Sequence, residues 1–93
     1  MSRQRFNSVW DALEDTPGEA ANMKARAELM RAIADYVRNS GMTQADAAKM
    51  LGVTQPRISD LMRGKVDVFS IDTLVNMLAA AEIRLEIRLK KAA

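Results

Sequence analysis

Apolar residues recur every three or four positions as far as about Ala81 and then at every second position from Ile83 to Leu89, so the pattern changes period near the carboxy terminus. Phe6, Val9, Trp10 and Leu13 form one short amphipathic stretch that ends in Glu14-Asp15. Thr16-Pro17-Gly18-Glu19 reads as a helix start, with a hydroxyl to cap, a proline suited to the first turn and a carboxylate placed to reach back. The helix it opens runs to about Asn39. Met30, Ile33, Ala34 and Val37 are its apolar stripe, and Ser40-Gly41 is its left-handed stop.

Three shorter helices follow. Thr43 caps one that carries Ala47, Ala48 and Leu51 and closes at Gly52, with Val53 filling the turn. Thr54 caps the next, which tolerates Pro56 in its first turn, faces Ile58, Leu61 and Met62 inward and stops at Gly64. Ser70 caps a last one, from Ile71 to about Ala81, with Leu74, Val75 and Leu78 as its stripe. In the final segment Ile83, Leu85, Ile87 and Leu89 alternate with Arg84, Glu86, Arg88 and Lys90, which predicts a strand over 82–90. The expected fold is mainly α: five helices and a short carboxy-terminal β-strand in a single domain over 1–93, residues 1–15 being an amino-terminal extension.

A chain of 93 residues has a core near the lower limit for independent stability, so a second copy would help it. A lone strand with four apolar residues needs a partner too, and Ile83, Leu85, Ile87 and Leu89 are the expected homodimer contacts. Antiparallel pairing centred on Leu85 sets Arg84 opposite Glu86, Glu82 opposite Arg88 and Ile83 opposite Ile87. Centring on Ile87 confronts Arg84 with Lys90, and centring on Glu86 opposes Arg84 to Arg88 and Glu86 to its own copy.

The chain has no Cys and no His, which excludes disulfides, zinc sites, nucleophilic thiols and imidazole acid-base chemistry. Its carboxylates are scattered and no Gly-rich phosphate loop occurs, so neither an enzyme nor a cofactor nor a small-molecule substrate is expected. No stretch approaches the ~18 apolar residues of a membrane span, and a cytoplasmic protein is expected. The formal charge of +2 fits nucleic acid without requiring it. Its local placement says more: residues 53–65 carry Arg57, Arg63 and Lys65 against Asp60, whereas residues 66–82 carry only Asp67, Asp72 and Glu82.

Two short helices joined through Gly52-Val53-Thr54 must cross closely, which calls for a small residue at the contact and a left-handed glycine in the turn; Ala48 and Gly52 supply them. With Ile58 and Leu61 buried, Gln55, Pro56, Arg57, Ser59, Asp60 and Arg63 project from an exposed face suited to the major groove. TQADAAKMLGVTQPRISDLMRGK, with Thr43-Gln44, Ala48, Gly52, Thr54-Gln55, Ile58, Leu61 and Gly64-Lys65 in register, resembles the helix-turn-helix (43–64) of the phage-repressor-like XRE family. ISDLMRGKVDVFSIDTLVNML and the short strand after it resemble the HigA-type antitoxins of that family.

The resemblance implies a repressor of its own operon that binds double-stranded DNA at an inverted repeat and neutralises a RelE-fold toxin. It implies that Gln44 touches a phosphate and buttresses the recognition helix opened by Thr54, and that Gln55 reads a base, its amide matching adenine. Pro56 can offer only an apolar contact, such as one to a thymine methyl. Arg57 is left between guanine and phosphate. Asp60 departs from the family pattern, since phosphates repel it, although it can accept from a cytosine amino group. Arg63, Lys65 and the helix start at Ser70 are backbone contacts in this reading. A free-standing regulator without a toxin and a protein-interaction adaptor remain as alternatives. Met23, Met30, Met42, Met50, Met62 and Met77 are core filler, and Trp10 either staples the bundle or serves a partner.

Overall fold

The computed structural model describes residues 16–91. The expected helix over Phe6 to Leu13, with the rest of the extension, lies outside the described residues. Within them the elements are α1 (Pro17–Ser40), α2 (Gln44–Leu51), α3 (Gln55–Met62) and α4 (Ile71–Ala80), with a 3-10 turn at Val66–Val68 ahead of α4. Of the five helices expected, these are the four that residues 16–91 contain.

Every helix opens alike. The hydroxyls of Thr16, Thr43, Thr54 and Ser70 accept from the amides of Glu19, Asp46, Arg57 and Thr73 at 3.1, 3.1, 3.3 and 3.1 Å. Each satisfies one of the amides that a helix start leaves without a partner. The ends are alike as well, with Gly41, Gly52 and Gly64 at φ 74°, 71° and 75°. After α2 the Val53 amide donates to Ala48 at 3.0 Å and the Gly52 amide to Lys49 at 3.3 Å. After α3 the Lys65 amide donates to Asp60 and the Gly64 amide to Leu61, both at 3.0 Å. These are paired closures that consume the last carbonyls of a helix and reverse the chain at once. After α4 the same closure forms from Ile83 to Leu78 at 2.9 Å, but the left-handed residue is Glu82, φ 58°.

Four stripes meet in one core: Met30, Ile33, Ala34 and Val37 of α1, Ala47, Ala48 and Leu51 of α2, Ile58 and Leu61 of α3, and Leu74, Met77 and Leu78 of α4. The long α1 packs on α4, on α3 and on the 3-10 turn, while α2 lies against α3 and α4. One position of the α4 stripe differs from expectation. Val75 is exposed, while Met77, expected as core filler, is buried beside Leu74 and Leu78, because 74, 77 and 78 share one side of a helix while 75 lies about 100° round from 74. Phe69, 1% exposed, is the largest fully buried side chain among the described residues. It sits between the 3-10 turn and α4, where no periodicity announces it. Of the methionines taken as filler, Met30 and Met77 are buried and Met42, Met50 and Met62 pack at the margin, but Met23 is 45% exposed.

Residues 83–91 form no regular element. A strand exists only against a partner backbone, and among the described residues none pairs with 82–90, so the expected strand is an unpaired tail. Exposure rises along it, from half-buried Ile83 through Leu85 at 39% and Ile87 at 75% to Leu89 at 93%. Ile83 and Leu85 line a groove with Leu29, Ile33 and Tyr36 of α1 and Leu78 of α4. Among the described residues no helix is long and apolar enough to cross a membrane.

Candidate nucleic-acid interface

The turn between α2 and α3 is built from two contacts. Gly52 approaches α4 so closely that a β-carbon there would lie 3.4 Å from that of Ala80, and its φ of 71° suits glycine in any case. Val53 packs against the core at the turn, and Thr54 caps α3 two residues after the glycine. Ile58 at 0% and Leu61 at 1% exposure then fix which side of α3 faces solvent.

That outer side carries Gln55, Pro56, Arg57 and Arg63 exposed, with Ser59 and Asp60 half-buried along its edge. Gln44 and Gln55 are the first residues of their helices, both exposed, and among the described residues neither side chain makes a hydrogen bond. Both amides are exposed at the helix starts, where an outside partner can reach them. Asp60 Oδ1 lies 3.1 Å from Arg63 Nη2 and 3.8 Å from Lys65 Nζ. The closure after α3 causes this, since it turns Lys65 back over the last turn by way of the Asp60 carbonyl. The carboxylate that departs from the family pattern is thus tied to two cations of the same face, and phosphates meet it already compensated.

Arg57 is committed within the chain. Its Nη1 donates to the Val68 carbonyl at 3.0 Å, and its Cζ lies 5.7 Å from the centre of the Phe69 ring. Ser70 follows at once, its hydroxyl capping α4 and lying 2.9 Å from that of Thr73. The structure so joins Thr54, Arg57, Asp60, Arg63 and Lys65 through contacts among themselves or with the 66–69 segment. Among the described residues the side chains of Gln44, Gln55, Pro56 and half-buried Ser59 make no such ties. Arg26 of α1 was not foreseen: its Nη1 donates to the carbonyls of Val66 and Phe69 at 3.1 and 3.3 Å. Those partners lie forty or more positions away, and no local pattern marks them.

Two short helices crossing at a left-handed glycine, with an exposed polar and basic outer helix, define a helix-turn-helix. The family of helix-turn-helix domains matches residues 12–90. A solved structure named for the XRE family of transcriptional regulators is 30% identical, covers 80% of this chain and 83% of its own, and superposes with a TM-score of 0.70. No curated protein matches the chain. The chain belongs to the helix-turn-helix domain family, in its XRE branch.

Proposed function

We propose that this DNA-binding transcription regulator works as a homodimer on an inverted-repeat operator, represses its own promoter, and is the antitoxin of a RelE-fold toxin. The observation that carries the operator reading is the outer face of α3, where the unbonded amide of Gln55 stands at the helix start and Lys65 at its far end. The first helical turn is the part of a recognition helix that reaches base edges, and cations beside it grip the backbone. The role is binding without catalysis, in the cytoplasm where the operator lies.

Dimerisation is supported by the unpaired tail. Pairing centred on Leu85 would set the partner's Ile87 beside Ile83, at the mouth of the apolar groove against α1, with complementary charges on the other side. The antitoxin role is supported by the resemblance of residues 58–78 and the tail to that subgroup. The amino-terminal segment, outside the described residues, is assigned to the toxin or to bracing the bundle, so deleting residues 1–13 leaves base preference intact.

Duplexes selected by the protein from a randomised library provide the test. Gln55→Ala should relax preference at one or two base pairs, while Lys65→Ala should weaken every sequence alike and lower the slope of log affinity against log salt by about 1. Equal effects of both variants on selected and unrelated duplex would sink the reading. Co-purification from the native host, with a small basic protein as the expected companion, separates an antitoxin from a free-standing regulator. Salt-independent or absent DNA binding would leave the adaptor.

A further inference from the structure

Arg57 belongs to the recognition helix by sequence, but its guanidinium is turned towards the segment that follows. It donates to the Val68 carbonyl at 3.0 Å and stands 5.7 Å from the Phe69 ring centre. That separation is inside the ~6 Å over which a ring face attracts a cation. Arg26 of α1 holds the same segment through the carbonyls of Val66 and Phe69 at 3.1 and 3.3 Å, its own Nε steadied by Asn22 Oδ1 at 2.7 Å. Two arginines from different helices therefore fix residues 66–69 by their backbone oxygens, and the buried side chain of Phe69 anchors the segment to the core. Lys65 precedes this segment and Ser70 follows it. Both are among the places assigned to the DNA backbone.

We infer that Arg57 is a positioning residue: it latches the 66–69 segment to α3, so that Lys65 and the start of α4 meet phosphates in step with Gln55 meeting a base. The inference rests on the operator reading and assigns Arg57 neither a base nor a phosphate. A guanidinium that left for either would lose the Val68 carbonyl and the Phe69 ring together. The charge on Arg57 still contributes to the field of the face, but the geometry it enforces is the larger part of its effect.

The experiment uses the full chain and a duplex that the unsubstituted protein selects from a randomised library, together with all single-base variants of that duplex. Arg57→Gln is expected to weaken every duplex by a common factor of about three to ten, with base preference unchanged. In that background Lys65→Ala should cost clearly less than it does in the unsubstituted protein, because the lysine is no longer held in place. Phe69→Leu should act in the same direction as Arg57→Gln, and the two together should add little to either alone. Altered preference at one base pair in Arg57→Gln overturns the inference in favour of a base contact. A salt slope lowered by about 1, with Lys65→Ala costing the same in both backgrounds, overturns it in favour of a phosphate contact. Should Phe69→Leu fail to fold, the Arg57–Lys65 cycle decides alone. Failure of the unsubstituted protein to select any duplex strikes the operator reading instead, and so is distinct from a failure of the latch.

Discussion

A carboxylate 3.1 Å from Arg63 and 3.8 Å from Lys65 acts on those cations before any DNA arrives. Asp60 orients them along the end of α3, and it also withholds part of their charge from phosphates. The cations are more than half exposed, so each pair stabilises the fold by less than about 1 kcal/mol. Its influence on binding is of similar size, and Asp60→Asn is expected to tighten binding to any duplex by about two- to fivefold while steepening the salt dependence. Fluorescence anisotropy at several salt concentrations checks this. A selective loss at one base pair would instead show that Asp60 accepts from a cytosine. Phe69 is the residue whose removal should matter most to the fold: Phe69→Ala is expected to destabilise by about 3–5 kcal/mol in urea unfolding, since it empties a fully buried site.

At the scale of elements, the four caps and four left-handed closures set the helix ends independently of packing, which is why the chain announced them. Threonine or serine before each helix and glycine after three of them are local signals with one structural outcome. Gly52→Ala and Gly41→Ala share one cost. Both force an L residue into the left-handed region, at about 1 kcal/mol, and at Gly52 the new methyl meets Ala80 at 3.4 Å, an ordinary van der Waals contact, so the two should lower the unfolding midpoint by similar amounts. A clearly larger loss in Gly52→Ala would show that α4 does not tolerate the methyl. Glu82 holds such a conformation as a non-glycine residue, and Glu82→Gly should stabilise the monomer fold by up to about 1 kcal/mol. What the sequence hid are the contacts with no local signal. Phe69 has no periodic neighbours, Arg26 bonds across forty positions, and Arg57 could be placed only once the 66–69 segment lay beside it. Val75 was misassigned because a short apolar run offers several stripes, and only packing against α1 and α2 selects among them. The face of α3 was legible, since burying Ile58 and Leu61 leaves little choice about what projects.

For the whole molecule, the proposed dimer places on the tail the decision of how many copies act together. Truncation after Glu82 removes Ile83, Leu85, Ile87 and Leu89, and it should yield a monomer with its helices intact and with operator affinity reduced at least tenfold, about the effect of losing one of two linked half-sites. Sedimentation at micromolar concentration checks the first part, and a dimer there would place the contact elsewhere. A ribbon this short holds copies together weakly, since each facing pair contributes about 0.2–1 kcal/mol. Below the concentration at which copies meet, the occupied fraction of a paired site grows with the square of the amount of protein rather than in proportion to it. The exposed side chains from Leu85 to Leu89 would then act as a dosage gauge: a promoter under this regulator would stay open while the protein is scarce and close over a narrow rise in supply.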